Sequence, residues 1–169
     1  MTTTAPLVVT LVLDRDSQAR FDALRAAHFP PERNHLQAHV TLFHALPGDQ
    51  LGQVQADLAE VAARPAYDVS VTRVRSLGRG VAYDLTADEL AADHRELVRR
   101  WAPWLTRQDA QPLSAHVTVQ NKVSPERARR LLADLAAGFT PYRVTACGFA
   151  LWRYLGGPWE PLEVSVFRG

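Results

Sequence analysis

Two stretches of the chain, His39-Val40-Thr41-Leu42 and His116-Val117-Thr118-Val119, repeat one pattern 77 positions apart (116 − 39). Each lies in a β-branched, apolar run of strand length, "AHVTLFHAL" and "LSAHVTVQNKV". Each run is followed by a segment with helical spacing. The predicted order is strand, helix, strand, helix, two strands, and then helix, strand, helix, two strands. Only the leading strand separates the first set from the second. A chain patterned this way folds as two copies of one supersecondary unit. No linker composition divides the copies, so residues 1–169 read as two lobes of a single domain.

The individual elements follow from period and punctuation. Leu7–Leu13 is rich in Val, Leu and Thr, which suits a strand. Asp16 or Ser17 can cap a helix over "SQARFDALRAA", whose Phe21, Leu24 and Ala27 form one apolar face. After Pro47-Gly48, the apolar residues Leu51, Val54, Leu58 and Val61 predict a helix within residues 50–63. Residues 67–74 and 81–85 read as a hairpin around "RSLGRG". Asp88 can cap a helix to about Trp101, and Ser124-Pro125 opens another to about Ala137. Residues 143–152 and 160–167 read as strands joined through "RYLGGPW".

Composition narrows the function. With 19 basic and 18 acidic side chains, the net charge of +1 does not support a broad surface that tracks duplex phosphates. Contact with nucleic acid should be local, at a groove or a strand end. The one cysteine, Cys147, excludes an intrachain disulfide and a Cys-rich zinc site, and its run "VTACGFALW" reads as a place for a buried structural thiol. The start "MTTTAPLVVTLVLD" lacks a basic leader and its apolar run is too short to span a bilayer. The expectation is a cytoplasmic protein without a membrane association.

Residues two apart on a strand share a face. His39 and Thr41 therefore point one way and Val40 and Leu42 the other; the same holds for His116 and Thr118 against Val117 and Val119. Imidazole, with an ordinary pKa of about 6.5, suits proton transfer near neutrality. Two imidazoles on opposite sides of one reacting atom can serve as base and acid, and a threonine hydroxyl can donate to an anionic oxygen. A single tetrad is ordinary strand sequence; two at equivalent places in two similar halves point to shared chemistry. That pattern makes His39 and His116 the candidate catalytic residues and Thr41 and Thr118 the candidate phosphate-binding residues.

Paired His-x-Thr/Ser-apolar tetrads in a pseudo-twofold chain resemble the two-histidine (2H) phosphoesterase superfamily, and within it the bacterial 2′-5′ RNA ligase and cyclic phosphodiesterase branch. "LGRGVAYDL" and "LWRYLGGPW" are also similar to segments of such proteins. The resemblance implies an α+β fold, bilobal and pseudo-twofold, with two antiparallel sheets facing each other across a central cleft and helices packed outside. It implies substrates that are RNA ends or nucleotides carrying a 2′,3′-cyclic phosphate or a 2′-5′ linkage, with no cofactor, no metal and no obligate protein partner. Two other functions compete with this reading. One is a non-catalytic module binding nucleotides or RNA ends in the same cleft. The other is a metal hydrolase using His39, His116 and a carboxylate, which is disfavoured because neither tetrad has an adjacent acid like that of His-Glu-x-x-His.

Several further residues are candidates for holding substrate. Lys122 continues the alternation His116, Thr118, Gln120 and can meet a phosphate at the cleft edge, and Phe43 continues the first face beyond Thr41 and can stack on a base. Trp152 and Tyr154 share a strand face near Gly156-Gly157, and Arg79 sits between Gly78 and Gly80 in a loop. His44, five positions from His39, belongs to the opposite face as a structural or surface residue. His94 reads as packed or solvated on its helix, and His35 precedes the first tetrad near the cleft mouth.

Overall fold

The computed structural model describes residues 4–169; Met1–Thr3, the first residues of the stretch read for a leader, lie outside the described residues. Strand β1 (Leu7–Leu13) leads into helix α1 (Arg15–His28), strand β2 (Val40–Leu46) and helix α2 (Leu51–Val61). The hairpin β3 (Tyr67–Ser76) and β4 (Val81–Thr86) is followed by α3 (Asp88–Trp101), β5 (His116–Gln120), α4 (Pro125–Ala137), β6 (Tyr142–Tyr154) and β7 (Trp159–Val166). Every predicted element forms. Two caps differ from expectation. Asp14, not Asp16 or Ser17, accepts the N–H of Ser17 at the start of α1, because the helix begins a turn earlier than its apolar period. Asp88 is the first residue of α3, and the cap position falls on Ala87, without a side-chain bond. Ser124 caps α4 as expected, accepting from Arg127 N–H.

The two expected sheets are one. The seven strands form a single antiparallel sheet in the order β2-β1-β6-β3-β4-β5, with β7 also on β6. The cause is the length of β6. Its first part, Tyr142–Ala146, pairs with β3; its second part, Gly148–Tyr154, pairs with β7; and Ala146–Arg153 pairs with β1. One 13-residue strand thus belongs to both halves and fuses them. The sheet curls: β2 and β5 stand at opposite ends of the strand order, yet they touch.

The helices interlock the halves. Helix α1, from the first half, buries Phe21 edge-on against Tyr83 of β4. Helix α3, from the second half, presents Leu90, His94, Leu97 and Trp101 on one buried face, at steps of three and four. Its Trp101 packs edge-on against Phe43 of β2, and Trp101 Nε1–H donates to Asp57 of α2 at 2.8 Å. Neither half can bury its own helix alone. No helix among the described residues is long and apolar enough to cross a membrane.

Candidate active site

Strand pairing dictates which side chains look into the curl. Cross-strand partners in an antiparallel sheet project to the same face. Thr41 pairs with Thr10 of β1, and Thr118 with Ala82 of β4. Val40, Leu42, Val117 and Val119 are buried on the other side, while His39, Thr41, His116 and Thr118 are each half-buried. The alternation read from each tetrad therefore holds.

The two imidazoles are oriented identically. His39 Nδ1 lies 2.8 Å from the carbonyl of Gln37, and His116 Nδ1 lies 2.9 Å from the carbonyl of Ser114. A carbonyl only accepts, so Nδ1 carries the proton in both rings and Nε2 holds the lone pair of the neutral form. His39 has its pKa pushed below the ordinary histidine value. Burial is the main cause; the Gln37 carbonyl opposes it, and the charges of Arg25, His116 and His44 add to the lowering. Strands β2 and β5, which carry the two tetrads, touch where the sheet curls.

Two buried groups hold that approach in place. Arg25 of α1 is 5% exposed. It donates through Nε to Asn34 Oδ1 at 2.8 Å and through a terminal nitrogen to the Thr118 carbonyl at 3.2 Å, so the first half grips the backbone of the second tetrad. Asp109 lies in the segment leading to β5. Its carboxylate accepts the N–H groups of His44 and Ala45 at 2.9 Å and contacts His44 Nδ1 at 3.0 Å, so the second half grips the strand of the first tetrad. His44 is exposed because it follows the core-facing Phe43, past the register shift in β2, and so leaves the buried face of Val40 and Leu42 to which its spacing from His39 assigns it.

Beside His39 lies an open, largely apolar cavity of about 710 Å³, bordered by His35, His39, Thr10, Trp152, Trp159 and the start of α1. The Trp159 ring sits 4.8 Å from that of His39 and 5.9 Å from that of Trp152, whose Nε1–H donates to Thr10 Oγ1 at 3.0 Å. Trp159 borders this cavity against His39, and the sequence reading misses it. It sits at the end of a turn-rich connection, where only its neighbours in "RYLGGPW" hint at a site.

Three of the softer sequence candidates are corrected. Phe43 is fully buried, stacked on His94 and against Trp101. The reason is a pairing irregularity between Val9↔Phe43 and Thr10↔Thr41, which turns Phe43 to the core side beside Leu42. Lys122 does not continue the His116–Thr118 face: β5 ends at Gln120, and Lys122 is exposed in the left-handed region at φ 63°. Tyr154 is 41% exposed at the strand end and does not border the cavity that Trp152 lines. Arg79 lies in the exposed hairpin loop, where its Nε donates to the Val123 carbonyl at 3.0 Å. Cys147 is half-buried, and burial raises its thiol pKa. Among the described residues no three His, Cys, Asp or Glu side chains cluster to hold a metal ion.

This curled sheet with its outer helices is a fold already seen in solved structures. Apo LigT of E. coli superposes with a TM-score of 0.63 at 18% identity, covering 98% of each chain. LigT complexed with 3′-AMP gives 0.57 at 19%, covering 98% of this chain and 99% of that one. TT0787 of Thermus thermophilus gives 0.63 at 16%, covering 97% and 98%. No curated protein matches the chain. The family model of the 2′-5′ RNA ligase superfamily matches residues 13–158, and the chain belongs to that family.

Proposed function

We propose that this protein is a metal-independent phosphodiesterase that hydrolyses 2′,3′-cyclic phosphates of RNA ends or nucleotides by two-histidine acid–base catalysis. The same chemistry extends to 2′-5′ linkages and, in reverse, to ligation. The observation that supports the reading is the matched hydrogen bond behind each imidazole, which puts the proton on Nδ1 and the lone pair on Nε2 in both rings, on two strands that touch where the sheet curls. Membership of the 2′-5′ RNA ligase superfamily supports it, and E. coli LigT, a protein of the same fold, has been solved with 3′-AMP.

In the proposed reaction, one neutral histidine takes a proton from water as the water oxygen bonds to phosphorus. The bond from phosphorus to one ribose oxygen breaks, and the opposite protonated histidine gives that oxygen its proton. Thr41 and Thr118 donate to the non-bridging oxygens, where negative charge is held in the transition state. With a ribose hydroxyl in place of the attacking water, the same sequence opens the cyclic phosphate into a diester, the hydroxyl proton going to the base histidine and the released ribose oxygen taking its proton from the other. The test is turnover of a panel of nucleoside 2′,3′-cyclic phosphates in the presence of EDTA. His39→Ala and His116→Ala should each lose on the order of 10²–10⁴ in rate. Wild-type binding without turnover would leave a nucleotide-binding module, and strong EDTA inhibition would indicate a metal enzyme.

A further inference from the structure

Cross-strand pairing extends the face of the second tetrad across the sheet in two rows. His116 of β5 pairs with Asp84 of β4, which pairs with Arg73 of β3. Thr118 pairs with Ala82, which pairs with Arg75. Both arginines therefore project on the face that carries the candidate catalytic imidazole, two strands and roughly 10 Å away.

That placement is produced by a bulge. Val71 is buried opposite Leu85, and strict alternation would send Arg73 to the same side. The register shifts between Val71 and Arg73, with Thr72 as the extra residue, so Val74 packs toward the core and Arg73 and Arg75 turn to the open face. Asp84 then holds both guanidiniums by their Nε edges, Arg73 on Oδ2 and Arg75 on Oδ1 at 2.8 Å. The terminal nitrogens of both arginines have no protein partner among the described residues. The trio carries one net positive charge, and its exposed member, Arg73, has a side chain 67% accessible. Arg75, itself mostly buried, is enough to balance the buried Asp84 carboxylate; the exposed Arg73 adds a pair of the kind that contributes little to stability, so stability does not account for the second arginine on the re-aimed strand. Planar forks held by one edge with the other edge open are suited to phosphate oxygens.

We infer that Arg73 and Arg75, braced by Asp84, form a subsite for a second phosphate of the substrate, one group along from the phosphate between His39 and His116. This rests on the reaction proposed above. The subsite makes a cyclic-phosphate end that carries a neighbouring phosphodiester a better substrate than a lone nucleoside 2′,3′-cyclic phosphate.

The experiment compares kcat/KM for a nucleoside 2′,3′-cyclic phosphate, the same nucleoside bearing an added 5′-phosphate, and a dinucleotide ending in the cyclic phosphate. Wild type should prefer the dinucleotide by at least about tenfold, as two charge-assisted contacts imply. In Arg73→Gln and in Arg73→Gln/Arg75→Gln that preference should fall to within about twofold. Preference for the 5′-phosphorylated mononucleotide as well assigns the subsite to any second phosphate; preference for the dinucleotide alone assigns it to the diester. The single variant leaves Arg75 on Asp84, and thermal melts show that each variant is folded. An unchanged preference in the variants, or no preference in wild type, overturns the subsite. If wild type turns over none of the three substrates, the reaction itself fails. Calorimetric binding of a dinucleotide with a terminal 3′-phosphate then decides the subsite alone, with equal affinity in wild type and double variant counting against it.

Discussion

Asp109→Ala should unfasten the two tetrads from one another. The Asp109 side chain is 1% exposed, and its oxygens accept the His44 and Ala45 N–H groups at 2.9 Å. Alanine leaves both donors facing a void that water fills poorly. An unsatisfied buried donor costs about 1–3 kcal/mol, so two cost about 4 kcal/mol after partial relaxation. For a chain of this size that corresponds to a melting point lower by roughly 8–16 °C. Asp109→Asn retains one acceptor oxygen and can donate to the His44 ring, so it should cost only about 1–2 kcal/mol, mainly for the lost charge. The pH dependence separates this from a simple packing defect. Burial raises the Asp109 pKa, but the bonds from the His44 side chain and the Ala45 and His44 backbone outweigh it and hold the carboxyl below its usual value. A depressed carboxyl contributes stability that is fully present above the unfolded pKa near 3.9 and lost as pH falls through the folded pKa. Urea unfolding should therefore give a constant gap between wild type and Asp109→Ala from pH 7 to about 5, which narrows as pH is taken further down through the folded value. A gap at pH 7 below about 1 kcal/mol, or one that widens on acidification, would refute the role given to the carboxylate.

Gly80→Ala tests the seating of β5: an added Cβ would stand 2.0 Å from the Gln120 carbonyl oxygen, so β5 or the hairpin must move. A cost of about 1–3 kcal/mol in urea unfolding, with a fall in kcat/KM for a cyclic phosphate, is expected; wild-type stability and activity would show that β5 need not sit so tightly. The rate should be bell-shaped in pH, with one limb at an apparent pKa below about 6.5. The reason is that burial, assisted by the charges of Arg25, His116 and His44, holds His39 below the ordinary histidine value. If His39 is the base, activity is lost as acid protonates it. If it is the acid, activity is lost as pH rises through the same depressed value and the optimum lies well on the acid side. A pH–rate series on a nucleoside cyclic phosphate distinguishes these outcomes, and a rate flat from about pH 5 to 9 contradicts both.

What the sequence exposed was whatever a local period can carry. The element order follows from apolar spacing and turn residues, and the tetrads were legible because each alternates without interruption from its histidine to its threonine, His39 to Thr41 and His116 to Thr118. Residues that depend on an irregularity were not legible. A bulge inserts one residue into an otherwise ordinary strand, leaves no mark in composition and reverses every assignment beyond it. In β2 that reversal sends Phe43 into the core; in β3 it sends Arg73 and Arg75 out of it. Long-range pairing was equally hidden. Nothing in "YRVTACGFALWRY" announces that one strand serves both halves, and Asp109 sits in a segment without period at all.

These hidden features share a function in the architecture. The imidazole–hydroxyl pairs are supplied by two short runs of alternating strand, but such runs alone would not bring the two pairs onto one sheet. The shared β6, the crossed packing of α1 on β4 and α3 on β2, and the reciprocal grips of Arg25 on Thr118 and Asp109 on His44 and Ala45 tie the two copies of the motif to one another. It follows that loss of any one of these ties should reach both histidines together. A variant that perturbs the environment of one ring while leaving the other at its wild-type chemical shift would show that the halves behave as independent supports.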